Sequence, residues 1–274
     1  MPTATDPLRF LHISDTHINP DRTYNKDYAR YTPMLGVEAM VREINALPFT
    51  PDFILHTGDV AFDPAPDVYL AVKEALADLD APIHYLVGNH DDSLAFQRDL
   101  IGRADEAISD YYYYELETKG VQIVCLDSNG PHDAEKPTGN IPDEELEWLR
   151  VICGSDDPRP LVIATHHSVL PVYVPWLDIW MHTENGEVLH AVIKQASHRL
   201  CGVFHGHIHQ NIQVMRDNVT YISVGSTWCQ FKSYPDPSNE HIVNDMHTLP
   251  SFNMVTITDT TTSVIRHSFT VEDN

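Results

Sequence analysis

Six apolar, β-branched runs in this 274-residue chain each stop at a short polar cluster, and segments of helical period separate them. Leu8 to Ser14 leads to Asp15, Phe53 to Thr57 leads to Gly58 and Asp59, and Ile83 to Val87 leads to Gly88, Asn89 and His90. Val121 to Leu126 leads to Asp127, Leu161 to Thr165 leads to His166 and His167, and Leu200 to Phe204 leads to His205, Gly206, His207, Ile208 and His209. Short apolar runs bounded in this way read as buried strands, and their alternation with helical segments predicts an α/β layered fold. Thr32 followed by Pro33 marks the cap and first residue of a helix reaching about Leu47. Further helices are predicted over 67–79, 93–101, 142–153 and 187–197. The chain then turns β-rich: Ile212 to Met215 and Thr220 to Val224 flank an Asp217-Asn218 turn, and Met254 to Thr258 and Ser263 to Thr270 follow. Tyr111 to Tyr114 reads as an edge strand. Length and the absence of repeats favour one domain over residues 1–274.

Open α/β sheets collect ligands beyond the carboxyl ends of their strands. Nine side chains able to hold a metal or face a phosphate lie there, in five islands: Asp15 and His17, Asp59, Asn89 and His90, His166 and His167, and His207 and His209. Loops at strand ends can aim side chains while the sheet beneath holds them in fixed relation. Carboxylate, imidazole and amide groups gathered in this way can hold two divalent ions a few ångströms apart, which is the equipment of a two-metal phosphoester hydrolase. Taken alone, an aspartate after a strand is usually a turn cap, and a chain with 17 histidines contains chance pairs. His12, His56 and His205 are assigned to that background. The ordered set of five is what carries the reading.

The formal net charge of -23 with 17 Lys plus Arg, and the lack of any basic run, exclude a protein that tracks a nucleic acid polymer. An anionic phosphate substrate would need local positive charge, and bound divalent cations would supply it. Cys125, Cys153, Cys201 and Cys229 are too scattered for a zinc knuckle and read as buried free thiols. No stretch approaches the ~18 uninterrupted apolar residues of a membrane span, and Met1 to Pro7 has no leader pattern, so a cytoplasmic protein without a membrane partner is expected.

The series Asp15-Thr16-His17, Gly58-Asp59, Gly88-Asn89-His90-Asp91, His166-His167 and Gly206-His207-Ile208-His209 resembles the calcineurin-like metallophosphoesterases, in order and spacing, across about residues 8 to 210. Within that superfamily the chain is most similar to the class III cyclic-nucleotide phosphodiesterases and the bacterial glycerophosphodiesterases. The resemblance implies a layered β-sandwich flanked by helices, α/β/β/α. It also implies two divalent or mixed-valence metal ions, manganese, iron or zinc, with Asp15, His17 and His209 on one, Asn89, His166 and His207 on the other, and Asp59 bridging them. A hydroxide held by the ions would attack a small phosphodiester, and His90 would contact the phosphate or act as general acid. His167 stays open between metal ligand and a residue behind the ligands.

Departures from sister families narrow the substrate. Purple acid phosphatases carry a tyrosine where this chain has Phe62, and serine/threonine phosphatases place an arginine and a glutamate where Val87 and Asp91 stand. Without a guanidinium clamp, a monoanionic diester such as a cyclic nucleotide or glycerophosphodiester is favoured over a monoester dianion. A phosphomonoesterase or nucleotidase on the same centre is the alternative, and a non-catalytic scaffold is a third. Substrate choice is expected to reside in 168–186, which carries Val172, Tyr173, Trp176, Trp180, His182 and Asn185, and in 225–253, which carries Trp228, Phe231 and Tyr234 and could serve as a cap or oligomerisation segment. The resemblance suggests a homo-oligomer.

Overall fold

The computed structural model describes residues 1–65, 67–132, 135–235 and 242–272. Its elements follow one another as β1 (Leu8–Ile13), α1 (Pro33–Asn45), β2 (Phe53–His56), α2 (Val68–Ala75), β3 (Ile83–Tyr85), α3 (Ser93–Ala95), β4 (Tyr114–Thr118), β5 (Val121–Cys125), α4 (Asp143–Cys153) and β6 (Leu161–Ala164). After them come α5 (Pro175–Trp180), α6 (Gly186–Ile193), β7 (Leu200–His205), β8 (Gln213–Arg216), β9 (Val219–Ser223), β10 (Gln230–Phe231), β11 (Asn244–Asp245), β12 (Ser251–Ile257) and β13 (Thr262–Ser268).

One five-stranded sheet has the order β13-β12-β1-β2-β3, and a six-stranded sheet has the order β4-β5-β6-β7-β9-β8. The strands that end in the islands run parallel within each sheet: β1 with β2 and β2 with β3 in one, β6 with β7 in the other. Side-chain alternation then sorts the apolar residues into layers. Leu8 and Phe10 of β1, Phe53 and Leu55 of β2, Ile123 of β5, Val162 of β6 and Phe204 of β7 form the layer between the sheets. Phe10 ties it together, stacking on Phe53 at 4.8 Å and meeting Phe204 edge-on at 5.3 Å. Such aromatic contacts add about 0.5–1.5 kcal/mol each beyond area burial. The opposite faces pack outward, Leu11, Ile13 and Ile54 against Val37, Met40 and Ile44 of α1, and Val124, Leu161 and Ile163 against Leu146 and Leu149 of α4 and Leu189 of α6. The architecture is therefore α/β/β/α, as the sequence predicts.

Several element bounds differ from expectation for identifiable reasons. Thr32 caps α1 through the Leu35 N–H, and Pro33 opens the helix, as predicted. The helix expected over 67–79 stops at Ala75, although Leu76 and Leu79 remain buried. The helix expected over 93–101 is α-helical only in α3 and widens to a π-helical turn over Phe96–Ile101. There the buried Gln97 side chain donates to the carbonyls of Ser93 and Ser109, a local competitor to a regular ladder. Of Tyr111 to Tyr114 only Tyr114 enters a strand, because the Tyr112 N–H donates to Asp127 Oδ2 at 2.8 Å instead of to a neighbouring strand. The strand does lie at a sheet edge. The segment 168–186 contains α5, which periodicity had not suggested. Asp217 and Asn218 turn the β8–β9 hairpin with φ of 52° and 60°, the pairing a two-residue primed turn requires. Among the described residues no helix is long and apolar enough to cross a membrane. Cys125, Cys153 and Cys229 are buried free thiols, and Cys201 is half-buried.

Candidate metal centre

Beyond the strand ends the two sheets keep exchanging backbone hydrogen bonds through their loops. In the first sheet Asp15 N–H donates to Gly58 C=O and His17 N–H to Asp59 C=O, both at 3.0 Å; in the second Gly206 N–H donates to His166 C=O at 3.1 Å. These links hold the islands at fixed height, and the backbone is bent to aim them. Of nine described non-glycine residues with positive φ, five are candidate ligands: Asp15, His17, Asp59, His207 and His209, at 46° to 67°. Left-handed conformations cost about 1 kcal/mol or more for such residues and persist where surrounding structure enforces them, often at functional sites. Gly88 lets the third island in, since a Cβ there would fall 2.1 Å from Asp59 Oδ1.

All seven residues expected to hold metal converge. His209 Nε2 is 3.3 Å from Asp15 Oδ1 and 3.1 Å from His17 Nε2, and His17 Nε2 is 3.8 Å from Asp59 Oδ2. On the other flank His166 Nε2 lies 3.3 Å from Asp59 Oδ2 and 3.1 Å from Asn89 Oδ1. One donor atom each from Asp15, His17 and His209 fits within 4.8 Å, as do those of Asp15, Asp59 and His166, and of His166, His167 and His207. Asp59 therefore stands between the two flanks.

The ring nitrogens are sorted by backbone carbonyls. His166 Nδ1–H donates to Thr57 C=O at 2.7 Å, and His209 Nδ1–H to Cys229 C=O at 2.9 Å. Each thereby commits Nδ1 to the backbone and turns Nε2 toward the carboxylates, the nitrogen a metal would take in place of a proton. Asp15 and Asp59 are almost fully buried, and among the described residues their ion-pair partners are imidazoles. Burial raises the Asp15 carboxyl, but His209 and His166 together outweigh it and hold it at about 2. Asp59 is likewise held low, chiefly by His166 against its own burial. In return His166, despite burial, is carried up to about 9, mainly by Asp59. A pocket that draws protons onto its histidines to balance two buried carboxylates is one where divalent cations could take those protons' place. The donor set, two carboxylates and an amide oxygen facing imidazole nitrogens, fits such ions.

The cluster forms the floor of a cavity of about 500 Å³, walled by Tyr28, Phe62, Trp180, Trp228, Phe231 and Ile242. His90 lines it too. Its N–H donates to Asp59 Oδ1 at 2.9 Å, and its Nδ1–H donates to Phe62 C=O at 2.6 Å, which leaves Nε2 for the cavity. From 168–186, Trp180 reaches the wall, whereas Trp176 is fully buried packing. Asn185 is structural, exchanging hydrogen bonds with the Ile141 backbone. Tyr173 is 76% exposed. From 225–253, Trp228 and Phe231 line the cavity while Tyr234 is exposed, and 236–241 lie outside the described residues. His12, His56 and His205 are buried in the strands, hydrogen-bonded to Thr57, Thr16 and Gly206.

Two supporting residues escaped the sequence reading. Asp91 accepts the N–H groups of Val60, Ala61 and Gly88 at 3.2, 3.1 and 2.9 Å, tying the second and third islands together. Burial and then Asp59 push its carboxyl up to about 8. Its place in Gly-Asn-His-Asp was the available signal. Ser226 Oγ–H donates to the Asp15 carbonyl at 2.7 Å, and nothing in its sequence context announces that.

Comparison with known proteins agrees with this geometry. Residues 8–211 match the family model described as calcineurin-like phosphoesterase. The 3',5'-cyclic adenosine monophosphate phosphodiesterase CpdA of Pseudomonas aeruginosa is 29% identical over 232 residues, 83% of this chain and 79% of the relative. The glycerophosphodiester phosphodiesterase GpdQ of Enterobacter lignolyticus is 26% identical over 222 residues, 80% of this chain and 77% of the relative. The crystal structure of a dimetal phosphatase from Danio rerio superposes with a TM-score of 0.65 at 16% identity, covering 96% of this chain and 100% of that one, a likeness of fold.

Proposed function

We propose that this chain, which belongs to the calcineurin-like phosphoesterase family, is a binuclear metal-dependent phosphodiesterase acting on small diesters of the cyclic-nucleotide or glycerophosphodiester class. The observation that carries the reading is the pair of buried carboxylates, Asp15 and Asp59, met by imidazoles from both sheets at the floor of an open cavity. Asp15, His17 and His209 would hold one ion, Asn89, His166 and His207 the other, and Asp59 would bridge them; manganese, iron and zinc suit this nitrogen and oxygen set. When bound, such ions act as Lewis acids on phosphoryl oxygens and lower the pKa of a water so that it attacks at neutral pH.

The chain's own residues supply the rest. Hydrolysis forms a new bond from phosphorus to the water oxygen and breaks the bond to the leaving oxygen, which must gain a proton. His90 is placed to give it: Nδ1–H is engaged by the Phe62 carbonyl, so the ring is held with Nε2 toward the cavity, and in the imidazolium form that nitrogen can donate to a phosphoryl or leaving oxygen. Among the described residues the lining contains no lysine or arginine; Lys26 and Lys136 lie over the wall rings of Phe62 and Trp180. A dianionic monoester would find no guanidinium there, whereas a single diester charge is matched by the cations alone. The apolar wall suits an uncharged substituent. Relatives named for cyclic nucleotide and glycerophosphodiester hydrolysis, each matched over most of its length, support the same class. The reading treats the chain as one domain, because the apolar layer between the sheets draws residues from both.

The test is a comparison of kcat/KM for bis- and mono-p-nitrophenyl phosphate, 3',5'-cyclic AMP and glycerophosphodiesters on metal-analysed protein. Diesters should lead and chelation should abolish turnover. A large preference for the monoester would replace this reading with a phosphomonoesterase.

A further inference from the structure

Two lysines attend the rim of the cavity in a chain whose formal net charge is -23. Lys26 Nζ lies 5.1 Å from the ring centre of Phe62 and 5.4 Å from that of Tyr24, and Lys136 Nζ lies 5.6 Å from that of Trp180. Phe62 and Trp180 belong to the wall, as do Tyr28, close to Lys26 in sequence, and Pro137, which follows Lys136. Both lysines stand on segments pinned to that wall. Trp228 Nε1–H donates to Asn25 Oδ1 at 3.2 Å and to the Tyr31 carbonyl at 2.9 Å, which ties the loop carrying Lys26 to a buried wall ring. Beyond Lys136, Thr138 Oγ–H donates to Glu184 Oε1 at 2.6 Å and Gly139 N–H to the His182 carbonyl at 2.9 Å, which ties the other loop to the chain just after Trp180. An ammonium within ~6 Å of a ring centre is attracted by the ring's quadrupole, so the wall rings help hold the two charges at the rim. Lys119 and Lys194 are paired with Asp6, Asp52 and Asp217, whereas among the described residues neither Lys26 nor Lys136 has a carboxylate ion-pair partner. Asp63 adjoins Phe62 and Glu135 adjoins Lys136, so without the two ammonium groups the rim would share the negative sign of the whole chain.

We propose that Lys26 and Lys136 form a cationic collar that draws an anionic phosphoester into the cavity against the chain's own negative field. A patch of one sign at the mouth of a cleft raises the local concentration of the opposite ion, by about 10-fold or more in favourable cases, and salt screens the effect. The collar governs capture and not chemistry, because its charges stand over the wall rings while the carboxylates and imidazoles form the floor. The inference rests on the phosphodiesterase reading above and adds to it the residues that select an anionic ligand at the entrance.

The test compares wild type with Lys26→Met, Lys136→Met and the double variant, each loaded with Mn²⁺ and metal-analysed, on bis-p-nitrophenyl phosphate. Methionine keeps an unbranched stem over the ring and removes the charge, and because Lys26 is exposed and Lys136 half-buried the variants should fold. At about 10 mM ionic strength kcat/KM should fall roughly threefold in each single variant and roughly tenfold in the double variant, with kcat within about twofold of wild type. At about 1 M NaCl, where charges are screened within ~3 Å, the difference should vanish. Lys26→Arg and Lys136→Arg should retain the wild-type kcat/KM. Equal kcat/KM in wild type and double variant at low salt overturns the collar. So does a loss that persists at high salt, which would make the two side chains packing for the wall. The same proteins are titrated with inorganic phosphate, read by the fluorescence of the wall tryptophans, and its dissociation constant should rise in the variants at least as far. That measurement needs no turnover. Weakened phosphate binding in the variants, beside a wild type that hydrolyses no phosphoester, keeps the collar and sinks the enzymatic reading; full diesterase activity with equal phosphate binding throughout does the reverse.

Discussion

His12, His56 and His205 lie within β1, β2 and β7, whereas His17, His166, His207 and His209 lie just beyond the ends of β1, β6 and β7, and all seven are at most 5% exposed. In the first group the ladder fixes the backbone, and the rings find hydroxyls or a carbonyl. Burial alone then dominates: His56 is pressed down to about 3 and His205 to about 4. In the second group the chain has left the ladder, three of the four residues take positive φ, and carboxylates lie 3.3 Å from His166 and His209. Two of the four, His166 and His209, are carried above their ordinary range, while burial holds His17, 3.8 Å from the Asp59 carboxylate, at about 3 and keeps His207 low, as in the first group. Burial of a histidine is therefore uninformative about function here; what separates the groups is release from the strand, and within the second group a carboxylate at 3.3 Å is what raises His166 and His209.

Three measurements bear on that contrast. Asp59→Asn attacks it most directly, since the carboxylate faces both flanks of the cluster: bound metal per chain should fall by at least one ion and kcat by on the order of 10³-fold or more. Near-normal turnover in a metal-analysed preparation would remove the distinction between the two groups. His90→Ala should keep both ions and lose about 10²–10⁴-fold in kcat, the range of a general acid. Loss of an ion from that variant would place His90 among the ligands, as its position within 4.8 Å of a His17 and an Asp59 donor atom makes worth checking.

The smallest effect is expected at His56. His56→Leu should leave kcat within a few fold and cost about 1 kcal/mol at pH 8 for the lost bond to Thr16. Because the folded ring is held at about 3 against an ordinary 6.5, folding favours the neutral form. Its contribution is fully present above pH 6.5 and is lost as pH falls toward 3, where the unfolded chain binds a proton that the fold refuses. The variant should therefore show a shallower decline in denaturant midpoint over that interval. Parallel declines in wild type and variant, or a kcat loss as large as that of His90→Ala, would break the comparison.

Much of this was legible before any coordinates. Period-two alternation placed Leu8 and Phe10 on one face of β1 and Leu11 and Ile13 on the other, so the layers follow from the pattern. Thr32-Pro33 announced α1 because capping chemistry is local. What failed depended on distant partners. Tyr111 to Tyr113 have strand-forming side chains, yet Asp127 captures the Tyr112 N–H; the helix at 93–101 widens because Gln97 reaches Ser109. The role of α5 in aiming Trp180 and burying Trp176 was equally invisible, since both tryptophans read as aromatic residues in a loop.

Residue identity and spacing alone determined that acidic and imidazole groups would stand at the ends of parallel strands, because strand ends are set by hydrophobic runs and the chemistry of a side chain travels with its letter. Tertiary structure decided which nitrogen of each ring faces the cavity. That choice rests on backbone carbonyls of Thr57, Phe62 and Cys229, brought by sheet packing from 109, 28 and 20 residues away. Every residue carries such a carbonyl, so no sequence pattern marks these three, and only the folded distances single them out.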